Sequence, residues 1–243
     1  MRTALVRLFL IGSVCVALLA LARYHYRCGR EETSAPLILT RSLGASQAVG
    51  KSLYVISRAE WGAREPVVDG SVEGRYDPET NAGGWFIYDE PLDEALNTIV
   101  IHHSALPLSD GPREIQGQHM RRKGYADMGY HFVIDAAGRI YEGRPLAARG
   151  AHTGGHNTGT VGVVLLGNFE RQMPTDPQIE SLKSLCRFLV DRYAITHLAG
   201  HRDFQPEVTV CPGLNLAQLL PGLAREVGLI FGTGGYVGMP ESP

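Results

Sequence analysis

A three-layer α/β domain, with a central mixed β-sheet flanked by helices, is the fold this sequence predicts. Three observations lead there. Thr98 to Ile101 (TIVI) and Val161 to Leu166 (VGVVLL) are short, continuous apolar runs, the pattern of strands buried on both faces. Helical periodicity alternates with these strands along the chain. Tyr130 to Ile134 and Arg139 to Tyr141 flank Asp135-Ala-Ala-Gly138, which reads as a hairpin, so the sheet is not purely parallel.

The first segment, residues 1–22, is a targeting device. Arg2 and Arg7 precede the run from Leu8 to Ala22, which carries no charge, and Ala20 and Ala22 make a small-x-small pattern. The run is shorter than a comfortable membrane span. Arg23, Arg27 and Arg30 follow at once, an unusual sequel to a cleavage site. A cleaved signal peptide and a retained signal anchor both stand, and both put the rest of the chain outside the cytosol, in a periplasmic or extracellular place. Residues 23–53 have no sustained period and read as a linker.

The domain spans 54–227. Residues 64 to 96 carry Gly, Pro, Asp and Asn at short intervals and read as a long surface excursion. After TIVI, Asp110 caps a helix with Pro112 in its first turn, running past Ile115 and Met120 to Gly124. The hairpin and VGVVLL come next. Thr175 and Gln178 form a capping box, and Pro177 suits the first turn. Ile179, Leu182, Cys186, Leu189 and Tyr193 then share one helical face. Ile195 to Ala199 reads as a strand. Asn215 caps a last helix with Leu216, Leu219, Leu220, Leu223 and Val227 inward and a kink at Pro221. The Gly-rich tail, 228–243, reads as flexible.

Composition excludes several classes. The chain has 243 residues, a formal net charge of -2 and no block of like charge, so nucleic acid is not its partner. Cys15, Cys28, Cys186 and Cys211 are scattered and do not make a disulfide scaffold. The expected state is a monomer, with any membrane association confined to the N-terminal segment.

The chemistry concentrates in few residues. His102 and His103 follow directly on a buried strand, His201 follows another, and Cys211 comes ten residues later. Two imidazoles and a thiolate suit Zn2+ and leave a fourth tetrahedral position open, as catalytic sites require. The spacing alone is weakly specific. His102 and His103 point opposite ways in an extended segment, so only one can serve a given site. His119 and His131 read as structural histidines. His152, His156 and Asn157 lie in a glycine-rich loop, where backbone can approach a ligand closely.

Six ordered segments carry a family resemblance: Ile56 to Arg64 (ISRAEWGAR), Ile99 to Ser104 (IVIHHS), Gly129 to Phe132 (GYHF), Ile140 to Arg144 (IYEGR), Gly150 to Asn157 (GAHTGGHN), and Gly200 to Asp203 (GHRD) with Cys211-Pro-Gly213. Over about residues 54 to 227 the chain resembles the zinc amidases that include peptidoglycan recognition proteins and phage-type lysozyme amidases. The resemblance implies hydrolysis of the amide between the lactyl group of N-acetylmuramic acid and L-alanine of a peptidoglycan stem peptide. It implies His102, His201 and Cys211 as zinc ligands, which selects His102 over His103. It implies Tyr130 and Thr209 as catalytic groups that steady the oxyanion, and His152, His156 and Asn157 as substrate contacts. Some relatives carry a glutamate base on the strand that here reads Val163-Val-Leu-Leu166, which has no carboxylate. The separation of His201 from Cys211 is two residues longer than in many relatives. Members that lack the ligand cysteine bind peptidoglycan without cutting it, so a non-catalytic binding module is the alternative.

Overall fold

The computed structural model describes residues 37–39, 53–67 and 86–237. The targeting segment, with Cys15 and Cys28, lies outside them, as does most of the expected surface excursion.

Strands β1 (Leu37–Leu39) and β2 (Leu53–Ile56) pair antiparallel at one edge of the sheet, so part of the expected linker is strand. Ser57 caps helix α1 (Arg58–Trp61) through a reciprocal bond with Glu60, and Gly62 ends it in the left-handed conformation. Helix α2 (Leu92–Ala95) leads into β3 (Thr98–His103), buried along its whole length. Helix α3 (Pro112–Arg122) follows, then the hairpin β4 (Phe132–Ile134) and β5 (Ile140–Glu142), and then β6 (Thr160–Leu165), also buried throughout. Helix α4 (Asp176–Val190) starts at the predicted Thr175–Gln178 capping box. Strand β7 (His197–Gly200) runs straight into the short helix α5 (His201–Phe204). Helices α6 (Leu214–Ala217) and α7 (Leu220–Glu226) precede a last strand, β8 (Ile230–Phe231).

The sheet order is β1-β2-β5-β4-β6-β3-β7-β8. The pairs β1/β2 and β4/β5 are antiparallel and the others parallel, so the sheet is mixed as expected. Its two faces carry separate apolar clusters. Val161, Val163 and Leu165 of β6 join Leu182, Leu185 and Leu189 of α4 on one face. Val164 and Leu166 join Trp61, Ile115 and Met128 on the other. Each fully buried side chain of this kind contributes about 1.5–3 kcal/mol, which makes the central strands the rigid part of the fold.

Three boundaries differ from the sequence expectation. Gly111, not Asp110, caps α3, because the Glu114 carboxylate reaches back to the Gly111 N–H at 2.8 Å. The single last helix capped by Asn215 is instead two: Pro221 stands in the first turn of α7, the position where its missing N–H costs nothing, and the helix restarts there rather than kinks. Leu216, Leu220, Leu223 and Val227 are buried as predicted, whereas Leu219 is half-buried. The tail is not loose from Gly228 onward, since β8 adds to β7 in parallel and the Gly232 N–H donates to the Leu198 carbonyl at 2.9 Å.

Candidate metal centre

Strand β3 lies between β6 and β7, and all three run parallel. Their C-terminal ends therefore open at one mouth, the usual place for a ligand in such sheets. Alternation along β3 turns Ile99, Ile101 and His103 to one face and Val100 and His102 to the other. His102 is fully buried on the site face. His103 packs against Phe169 on the opposite face, and its Nδ1 accepts from the Phe169 N–H at 3.2 Å.

His201 begins α5 at the end of β7, and Cys211 arrives on the loop that follows. Ligand atoms of His102, His201 and Cys211 all lie within 4.8 Å of one another. His102 Nδ1 is 3.6 Å from Cys211 Sγ, and the imidazole rings of His102 and His201 are 4.7 Å apart between centroids. His201 Nε2 bonds Gln205 Oε1 at 3.0 Å. An amide oxygen can only accept, so this nitrogen carries the proton and Nδ1 keeps the lone pair. Gln205 in turn donates to the Gly154 carbonyl at 2.8 Å. The backbone N–H of His103 points at Cys211 Sγ from 3.4 Å, so the second histidine of the pair serves the site through its main chain.

The electrostatics fit a soft dication. Burial pushes the Cys211 thiol up to about 12, and burial holds His102 and His201 below the ordinary histidine range. Neutral imidazoles are already in their ligating form, and the buried thiol is one proton from its own. Three donors, with no fourth among the described residues, fit the zinc set expected of a catalytic site.

Tyr130 stands beside this cluster, 4.9 Å from His102 and 5.2 Å from His119 between ring centroids. The Gly129 N–H donates to His119 Nδ1 at 2.9 Å, which fixes the backbone before Tyr130. Burial raises the Tyr130 hydroxyl above its ordinary range, with the Cys211 charge a lesser cause, so the group is a neutral O–H. Thr209, half-buried, accepts the Cys211 N–H at 3.1 Å and retains its own O–H as a donor.

The glycine-rich loop divides. His152 is buried with its ring edge-on to His102, and Asn157 is buried with Oδ1 accepting the N–H groups of His152 and Thr153 at 2.8 Å each. Only His156 of the three is half-exposed, in ring contact with Phe204 and Tyr236. Sequence reasoning missed Gln205, whose signal was its place four residues after His201 across one helical turn. It also missed Gly129 and Gly162, whose meaning lies in neighbours distant along the chain.

A sequence profile described as N-acetylmuramoyl-L-alanine amidase matches residues 92–214. Peptidoglycan-recognition protein SD of Drosophila simulans is 31% identical over 183 residues, covering 71% of this chain and 87% of that protein. Among solved structures, the N-acetylmuramoyl-L-alanine amidase LysC from Clostridium intestinale is 33% identical with a TM-score of 0.51, covering 59% of this chain and 94% of the other. Peptidoglycan recognition protein-LE, solved in complex with tracheal cytotoxin, a monomeric diaminopimelic acid-type peptidoglycan, is 26% identical with a TM-score of 0.54, covering 69% and 92%.

Proposed function

This chain belongs to the N-acetylmuramoyl-L-alanine amidase family, and on that premise we propose that it is an active zinc amidase of peptidoglycan. The bond cleaved is the amide joining the lactyl group of N-acetylmuramic acid to L-alanine of the stem peptide. The observation that carries this reading is the convergence of His102, His201 and Cys211 within 4.8 Å, with Tyr130 beside them. A non-catalytic binder needs no such donor set.

Zinc, when bound by these three residues, supplies a Lewis acid and a water acidified to near neutrality. The chain's own groups do the rest. The neutral O–H of Tyr130 and that of Thr209 are donors for the charge that develops on the scissile carbonyl oxygen. Since β6 offers no carboxylate, the proton for the departing amine would come from Tyr130 or from the water that zinc would hold. Half-exposed His156 is the substrate contact on the glycine-rich loop, while Asn157 shapes that loop from within. The catalytic unit is a monomer, exported through residues 1–22, as a cleaved signal peptide or a retained anchor. Among the described residues no helix is long and apolar enough to cross a membrane.

The test is a product analysis. A purified muramoyl-peptide is incubated with residues 51–243, with and without a zinc chelator, and masses are read. Free stem peptide plus saccharide, abolished by chelation and by Cys211→Ala, is the expected result. Intact substrate from folded, zinc-loaded protein would move the binding-module reading to the front.

A further inference from the structure

His152 is buried with its ring against His102. Its Nδ1 lies 3.1 Å from Nε2 of His102, the ring nitrogen turned away from Cys211. A neutral imidazole carries one proton, and it can ligate only through the other nitrogen. If Nδ1 of His102 faces the metal position, Nε2 must carry the proton and needs a buried acceptor.

We propose that His152 is a positioning residue: by accepting the Nε2–H of His102 it holds that ligand in the tautomer whose Nδ1 lone pair faces Cys211 and His201. The inference rests on the zinc reading above for its consequence, though the hydrogen bond stands without the metal.

The surroundings agree with this direction of the bond. With Nδ1 of His152 accepting, its Nε2 carries the proton, and that atom faces Thr160 Oγ1 at 3.5 Å. The Thr160 hydroxyl is directed at the carbonyls of His156 and Asn157, at 3.0 and 2.9 Å, which leaves its oxygen to accept. Thr153 Oγ1 lies 2.9 Å from His152 Nδ1 and 3.5 Å from His102 Nε2, so it flanks the same junction. The ring itself is clamped. A Cβ at either Gly150 or Gly162 would collide with His152 Cδ2. A glycine inside a buried strand, as Gly162 is in β6, marks such a close approach. The His152 backbone is held too, through its N–H on Asn157 Oδ1.

Two variants separate this role from mere packing. His152→Asn puts an amide oxygen near the place of Nδ1 and keeps an acceptor; His152→Leu fills similar space without one. Zinc affinity, read by competition with a chromophoric chelator, should fall about 10–100-fold in His152→Leu. It should return to within a few-fold of the parent in His152→Asn. Equal affinity in His152→Leu, or equal loss in both variants, would overturn the proposal. Should His152→Leu fail to fold, long-range proton–nitrogen NMR of the unaltered protein, zinc-free and zinc-loaded, decides instead. His102 protonated at Nε2 supports the proposal, and protonation at Nδ1 overturns it. Tight zinc binding with this variant pattern but no cleavage of muramoyl-peptide would sink the amidase reading and leave this one standing.

Discussion

His102 Nδ1 stands 3.6 Å from Cys211 Sγ, although 109 residues of chain separate the two. The first is fixed by a central strand and the second by a loop whose Cys211 carbonyl accepts the Arg202 N–H of α5 at 2.7 Å. The two ligating atoms face each other, and the His103 N–H also reaches the sulfur. On the zinc reading, a metal held between them ties the loop to the sheet.

Cys211→Ala removes one donor of three. Zinc affinity should drop by more than about 100-fold, beyond the loss typical of an outer partner, and cleavage should vanish with it. Metal content after dialysis, measured by atomic emission, checks the first. Full zinc occupancy in the variant would show that the thiol is not a ligand.

Tyr130→Phe deletes one hydroxyl and leaves the ring that packs on His102 and His119. Losing one oxyanion donor costs about two to three orders of magnitude in kcat. KM and zinc content should stay within a few-fold. A kcat within about threefold of the parent would remove Tyr130 from the chemistry.

Gly162→Ala places a methyl group against His152 on one side of a fully buried strand. Overpacking of this kind costs about 1–3 kcal/mol. A lowered midpoint in urea, with weaker zinc binding, is the expected pair of results. An unchanged midpoint would mean that the clamp on His152 is loose.

His131 bonds the Ala148 carbonyl through Nε2 and accepts the Gly162 N–H at Nδ1, and burial lowers its pKa from 6.5 to about 4. Between those values the unfolded chain holds a proton that the folded chain does not. Stability is therefore full above about pH 6.5 and declines as pH falls toward 4, by about 1.4 kcal/mol per pH unit for this group. His119, lowered to about 3 mainly by burial, acts with the same sign. Urea unfolding of zinc-free protein from pH 7 to 4 should show the decline, and His131→Gln should lessen its slope by about one proton's share. An equal slope in the variant would assign the acid sensitivity elsewhere.

Much of this protein was legible in its residues. Buried strands announce themselves as unbroken apolar runs, so β3 and β6 were read nearly to the residue, and the capping box at Thr175 placed α4 at its first turn. These are local signals, set by backbone geometry and burial within a few residues. The candidate ligands His102, His201 and Cys211 were named from ordered motifs. Chain ends and helix breaks were read less well. Gly111 displaced Asp110 because the Glu114 carboxylate, one turn on, reaches back to it, and the tail became β8 because β7 left an edge open to it.

What only the tertiary structure decided is the use of each polar group near the centre. His152, expected to touch substrate, turns inward to His102, and Gln205 orients His201. His103 lends a backbone N–H to the sulfur from the strand position that faces away. A histidine has two nitrogens and a glycine has no side chain, so neither tells from sequence which neighbour it serves. That is settled when sheet order brings strands separated by tens of residues side by side and burial forces every donor there to find a partner.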